Sequence, residues 1–380
     1  MKIILVGMIN SIHLARWIEH LHTYRKFKIY VFPIFPTKIH PKLLNISDIK
    51  KNNKNIKIIK IFPWFIIDIY LFKFCKFFFK DFFLLKWFNY NISKLNPKYV
   101  HSHELTTSAM LCLKSKLKLK NNFPKWIVTN WGSELYFFYK KKYFKQTLRK
   151  ILKLSDFYSA ECKRDFFLAK KIGTNAKFLD CILNSGGINL KKTAKLSNKI
   201  LTSSRKIILI KGYHGLFGLS LNAIKAVEKI YKSLKNYKVV IYSSDDIVIE
   251  YCKKLHKKIN IEIHSTKYSL SENYMYNLFA KSKVYIGLSK SDGISTSLLE
   301  AMALRVFPIQ SNTSCANEWI LNNKTGFIVN PYDINIIKNK ILYALKNDSF
   351  INTATSINKK IIKEKASSLI IKDKIRNIYK

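Results

Sequence analysis

Short apolar runs that close on glycine or polar residues, each followed by a stretch of helical periodicity, recur along the whole chain. KIILVG (2–7) is the first, followed by NSIHLARWIEHLHTY with Ile12, Trp17, Ile18 and Leu21 on one helical face. KIYVFPIF (28–35), NIKIIKIFP (55–63), KYVHSHE (98–104), WIVTNWGSE (126–134) and DFYSAE (156–161) repeat the unit. Near-continuous apolar strands alternating with amphipathic helices predict an α/β class chain whose parallel sheets are covered on both faces. In such sheets ligands sit beyond the carboxyl ends of the strands.

The rhythm breaks once. NSGGINLKKTAKLSNK (184–199) carries Gly-Gly, Asn, Ser and lysines, and reads as a connection between domains. A second α/β set follows: KIILIKG (206–212), KVVIYS (238–243), KVYIGLS (283–289), RVFPIQS (305–311) and TGFIVNP (325–331). The 380 residues therefore divide into a first domain over 1–190 and a second over 205–360. The stretch 361–380 is expected as a terminal helix able to pack back on the first domain.

The formal charge is +45, but only seven of the 68 basic residues are arginine and lysine is spread evenly. The excess is largely compositional. Clustered basics, stacking aromatics and a nucleic-acid module are missing, so nucleic acid is excluded as a partner. Phosphate-bearing substrates or an anionic membrane surface suit the charge better. The six cysteines are scattered without a C-x-x-C pair, so neither a zinc site nor a disulfide framework is indicated, and a reducing cytoplasmic setting is expected. The N-terminal apolar run is too short for a signal peptide. In 62–88, the most hydrophobic stretch, charges interrupt every span long enough to cross a bilayer. Lys73, Lys76 and Lys80 share one helical face there. A core helix with a solvated lysine stripe and a helix lying in a membrane interface both accommodate it.

Chemistry concentrates in SDGISTSLLEAMA (291–303). Asp292 and Glu300 flank Gly293, Ser295, Thr296 and Ser297, where an apolar helix starts. Acceptor-only carboxylates suit sugar hydroxyls, while the free N–H groups at a helix start suit phosphate. An ordinary capped helix with incidental acids is the bland alternative. At the strand ends of the first domain stand Asn10, Ser11, His13, His103, Gly132, Ser133 and Glu134.

The segments VGMINSIHLARW, VHSHE, TNWGSE, IKGYHGLFG, LFAKSKVYIGLSKSDGISTSLLEAMAL, FPIQSNTSCANEWI and TGFIVNPYD, in this order, resemble retaining glycosyltransferases of the GT-B fold, in particular family 4, the group 1 glycosyltransferases. That resemblance implies two Rossmann-like doubly wound domains facing a cleft. It implies a nucleotide-sugar donor held by the second domain, with no cofactor and no metal. The chain has no Asp-x-Asp motif, since Asp245 and Asp246 are adjacent. Glu300 would bind the ribose hydroxyls, and Asp292, replacing the family's usual Glu, would sit near the sugar or the leaving phosphate. Lys211 occupies the place of the base against the diphosphate, beside Gly212. A second basic residue is expected near the following helix, where this chain has Gly218 and Leu219. Asn312, Thr313 and Ser314 would open a further helix over the donor, with Glu318 one turn inside.

The residues Asn10, Ser11, His13, His103, Gly132, Ser133 and Glu134 fall on the acceptor side, where no motif assigns their roles. The expected activity is retaining sugar transfer to a saccharide or lipid-linked hydroxyl in cell-surface polysaccharide or glycolipid assembly, in the cytoplasm or at the inner membrane face. A sugar-nucleotide 2-epimerase of the same fold and a non-catalytic nucleotide-sugar-binding relative are the alternatives.

Overall fold

A computed structural model describes residues 1–24, 26–51, 55–60, 82–197, 200–268 and 270–380. Lys73, Lys76, Lys80 and the part of the hydrophobic stretch before Phe82 lie outside the described residues. The chain forms two units, Met1–Gly186 with Ile371–Lys380, and Gly187–Ile370.

The first unit is built on seven strands: β1 (Lys2–Gly7), β2 (Lys28–Pro33), β3 (Ile56–Ile58), β4 (Tyr99–His103), β5 (Lys125–Thr129), β6 (Phe157–Ala160) and β7 (Lys177–Cys181). Every pairing is parallel, in the order β3-β2-β1-β4-β5-β6-β7. The order reverses between β1 and β4, which opens a crevice at their carboxyl ends. Apolar runs such as Ile3–Val6 and Trp126–Val128 are fully buried, as strands covered on both faces must be.

The second unit repeats the plan with β8 (Ile207–Lys211), β9 (Lys238–Ser244), β10 (Ile261–Ser265), β11 (Ser282–Gly287), β12 (Phe307–Ser311) and β13 (Phe327–Val329). Its order is β10-β9-β8-β11-β12-β13, again parallel, with the reversal between β8 and β11. One core packs Ile208, Ile210, Val239, Ile241, Val284 and Ile286 against helices that include Ser220–Glu228 and Ile334–Lys346. The other face carries Tyr242 and Tyr285 against Phe279 of the helix Glu272–Lys281.

Strands β7 and β10 were not anticipated from the apolar runs. Both are edge strands and only partly buried, so neither shows the continuous hydrophobic signature of an interior strand. The connection 184–199 contains the helix Leu190–Ser197. In the first unit, Phe88 of the helix Phe82–Leu95 packs on Phe32 with ring centroids 4.7 Å apart, whereas Phe82 and Phe83 are exposed. Among the described residues, no helix is long and apolar enough to cross a membrane.

Candidate active site

In the second unit the residues singled out from the sequence gather at the carboxyl edge beside the β8/β11 reversal. Lys211 is the last residue of β8, and Gly212 begins the loop to the helix Ser220–Glu228. A Cβ on Gly212 would stand 2.5 Å from Ser244 Oγ and 2.8 Å from Ile241 Cγ2, so the close approach of this loop to β9 requires glycine. The Gly212 N–H donates to the Tyr242 carbonyl at 2.7 Å, and Ser220 Oγ donates to the Gly212 carbonyl at 3.0 Å. The His214 N–H donates to Asp245 Oδ2 at 2.7 Å. Asp246 pairs with Lys267 at 2.9 Å, so the two adjacent acids face different partners.

This loop is tied to the one after β11. The Leu219 N–H donates to the Leu288 carbonyl at 3.0 Å and the Lys290 N–H to the Phe217 carbonyl at 2.6 Å. Lys290 Nζ reaches the Gly215 carbonyl at 2.8 Å. Lys211 and the Asp292–Ser295 turn thus emerge from adjacent strands on either side of the reversal, joined by backbone and side-chain bonds. Ser295 is the N-cap of the helix Thr296–Ala303, without a side-chain cap bond. Thr296 and Glu300, four residues apart, share one helical face. Asp292 and Glu300 are half-buried, while Gly293 is buried and accepts from the Cys315 N–H at 3.0 Å.

The 311–318 segment differs from expectation. Asn312, Thr313 and Ser314 do not open an α-helix; a single 3-10 turn forms at Ala316–Glu318. The hydroxyls explain it. Thr313 Oγ1 donates to the Ser289 carbonyl, and Ser314 Oγ donates to the Ser311 carbonyl at 3.0 Å. These local side-chain bonds compete with helical ones. Asn312 is exposed, its N–H bonded to the Val329 carbonyl at 2.9 Å.

In the first unit, the turn from β1 exposes Asn10, and Ser11 caps the helix Ile12–Leu21 by accepting from the His13 N–H at 3.2 Å. The His13 ring lies 5.3 Å from Trp131. His103 ends β4 but is interior: 1% exposed, stacked on His101 at 4.3 Å and edge-on to Trp17 at 4.8 Å. Burial pushes its pKa down to about 3, so the ring is neutral near pH 7.

Gly132, at φ +113°, precedes the short helix Ser133–Tyr136, and its carbonyl accepts from Arg164 Nη2 at 3.1 Å. The side chain of Glu134 folds back under that turn. It accepts from the Trp131 N–H at 2.9 Å and the Leu105 N–H at 3.3 Å. Burial, reinforced by the charge of Glu104, pushes its carboxyl up to about 7. Glu104, at φ +73°, accepts from the N–H groups of Thr106 at 2.6 Å and Thr107 at 2.8 Å. The part Glu104 plays in holding the next helix start shows only in three dimensions.

Known proteins bear on this arrangement. The family model described as glycosyl transferases group 1 matches residues 194–364. Residues 194–364 are thus similar to group 1 glycosyltransferases. Among curated relatives, the capsular polysaccharide biosynthesis glycosyltransferase CapM of Staphylococcus aureus is 23% identical over 209 residues, covering 52% of this chain and 53% of CapM. A putative glycosyltransferase 41 of a Sulfolobus islandicus filamentous virus is 39% identical over 66 residues, 17% of this chain and 19% of that protein. The chain thus spans about half, or less, of the length of these curated relatives.

Solved structures match over the full length. HepE from Anabaena in complex with UDP superposes with a TM-score of 0.71 at 11% identity, covering 100% of this chain and 99% of HepE. The sucrose-phosphate synthase of Thermosynechococcus elongatus gives 0.72 at 13%, covering 100% and 98%. With two parallel Rossmann-like sheets, the chain has the GT-B fold. The matched residues include Lys211, Gly212, Asp292, Glu300 and the 312–314 loop.

Proposed function

We propose that this chain transfers a sugar from a nucleotide-sugar donor to a hydroxyl of a saccharide or lipid-linked acceptor, with retention, in cell-surface polysaccharide or glycolipid assembly. The observation that carries this reading is the convergence of Lys211 and the Asp292–Glu300 segment on the β8/β11 reversal of a unit similar to group 1 glycosyltransferases. HepE, of like fold, has been solved with UDP and with UDP-glucose, which favours a nucleotide-sugar donor here. CapM belongs to capsular polysaccharide synthesis, which favours a polysaccharide or its lipid-linked precursor as acceptor.

In this reading Glu300 accepts from the ribose hydroxyls, and the start of the helix Thr296–Ala303 faces the diphosphate with Gly293, Ser295 and Thr296. Asp292 contacts the sugar, and Lys211 stabilises charge on the departing diphosphate beside Gly212. Asn312, Thr313 and Ser314 border the donor. The bond from the anomeric carbon to phosphate breaks and one to the acceptor oxygen forms on the same face. The acceptor's proton passes to the departing phosphate. No metal is assigned a part: Asp245 is engaged by the loop amide of His214 and Asp246 by Lys267. The first unit takes the acceptor, with Asn10, Ser11 and His13 at its strand-end turn and Gly132, Ser133 and Glu134 shaping the turn beside His13. His103 supports that edge from within. The setting assigned is the cytoplasm, at the inner membrane face where a lipid-linked acceptor would lie.

The test is a panel of UDP-, GDP- and ADP-sugars, with binding and nucleotide release followed for the wild type and Glu300→Ala. Acceptor-dependent nucleotide release, with donor binding weakened in the variant, is expected. Absence of donor binding, binding indifferent to Glu300, or epimerised sugar as the product overturns the reading.

A further inference from the structure

At the end of the helix Thr296–Ala303 away from Ser295 lies a cavity of about 410 Å³. Eight residues of helix, about 12 Å, separate it from the donor edge. Leu190, Ala194 and Ala303 supply apolar wall, and Arg305, Lys359, Lys360 and Lys363 supply four cations. Among the described residues, no carboxylate lines it. We propose that this cavity is a second ligand site, taking a phosphate ester whose remaining part is apolar.

The cations are gathered by the fold. Ser356, Lys359, Lys360 and Lys363 are spaced i, i+3, i+4 and i+7 on the helix Asp348–Lys365, so they share one face. Lys359 and Lys363 stand in the i, i+4 relation in which like charges repel. Arg305 completes the group from the other wall, donating from Nη2 to Ser356 Oγ at 3.0 Å, while its buried Nε has no hydrogen-bond partner among the described residues. Lys359 responds: burial lowers its pKa, and the Arg305 charge lowers it further. A dianionic phosphate would cancel the repulsion among these cations.

Arg305 is also conformationally costly. It follows the helix end at φ +58°, where glycine is the usual occupant. Its backbone need is already met, since its carbonyl accepts from Thr202 Oγ1 at 2.6 Å and Arg205 Nη1 at 3.2 Å. The side chain supplies what glycine would not, a fixed cation facing the lysines. The apolar wall limits the ligand: a fully hydrated polyanion would leave Leu190, Ala194 and Ala303 unused.

Two probes test the site at physiological ionic strength, where diffuse attraction to a basic protein is screened. Calorimetry with inorganic pyrophosphate is done in a Lys211→Ala background, which removes the lysine assigned to the diphosphate at the donor edge; pyrophosphate held by the helix start there is the same in every variant and drops out of the comparison. Arg305→Gly, compatible with φ +58°, and Lys359→Ala/Lys363→Ala are each expected to weaken binding at least tenfold. Lys257→Ala/Lys258→Ala, with the same charge change on another surface, leaves it unaltered. Equal loss in the control pair, or no loss in the cavity variants, overturns the proposal. Sedimentation with phosphatidylcholine vesicles, with and without phosphatidic acid, separates the sources. Phosphatidic-acid-dependent binding that is lost in the cavity variants assigns a lipid headgroup. Pyrophosphate binding that depends on the cavity cations, without vesicle binding, assigns a soluble phosphate as the source, and binding of neither probe overturns the site.

Discussion

The Tyr379 hydroxyl lies 2.6 Å from His101 Nδ1, joining two residues 278 positions apart inside the first unit. The bond belongs to a buried relay. Trp17 Nε1, which can only donate, gives its hydrogen to the Tyr379 oxygen at 3.1 Å. The arrangement that uses the tyrosine hydrogen has Tyr379 donating to His101 Nδ1 and His101 donating from Nε2 to Thr129 Oγ1, 2.7 Å away. Burial holds His101 neutral, which suits this role.

Tyr379→Phe removes one hydroxyl and leaves two buried partners, Trp17 Nε1 and His101 Nδ1, unsatisfied. Leaving buried polar groups unpaired costs about 1–3 kcal/mol each, so a loss of about 2 kcal/mol or more is expected in denaturant unfolding. Long-range nitrogen–proton NMR should show His101 protonated at Nε2 in the wild type and a changed tautomer balance in the variant.

Glu134 makes stability depend on pH in a definite direction. Its carboxyl titrates near 7 in the fold against 4.5 for the ordinary group, so the folded state binds more protons between those values. Stability therefore falls as pH rises from about 4.5 to about 7, by about 3 kcal/mol in total for this group. Glu134→Gln keeps an acceptor for the Trp131 and Leu105 amides without the charge. Its unfolding free energy is expected to flatten across that window and to exceed the wild type's at pH 8.

At Gly287, next to Gln310 in the β11/β12 register, a side chain would strike the Tyr285 hydroxyl and stand 2.6 Å from Gln310 Oε1. Both neighbours are buried. Gly287→Ala should destabilise the second unit by about 1–3 kcal/mol, read by thermal unfolding, because a packed interior absorbs an extra methyl poorly.

Under the proposed activity, Lys211→Ala and Glu300→Ala should separate kinetically. Lys211 acts on charge that grows in the transition state, so kcat should fall about 100-fold with a small change in donor KM. Glu300 grips a part of the donor that does not react, so donor KM should rise with less effect on kcat. Steady-state kinetics with varied donor checks both.

Interior strands announced themselves in the sequence, since a parallel strand buried on both faces must be apolar almost throughout; KIILVG, WIVT and KVYIG show it. The residues gathered beside the β8/β11 reversal were equally readable, because an acid-glycine-hydroxyl turn before an apolar helix is a local pattern. Strands β7 and β10 were not, for KFLDC and IEIHS are only partly buried and mix Asp180, Glu262 and His264 among their apolar residues. Nor was the role of Asp245, which appears only when its carboxylate meets the His214 amide 31 residues away.

Local chemistry in the sequence by itself determined the strand–helix alternation, the two-part α/β plan and the turn at 291–303. Tertiary structure alone decided that His103 is a neutral interior ring, that Glu134 is a buried carboxyl titrating near 7, and that Arg305 meets three lysines around a cavity. The reason is physical. Hydrophobic periodicity is a property of neighbours along the chain, whereas burial, charge coupling and hydrogen-bond partnership depend on residues that only folding brings together.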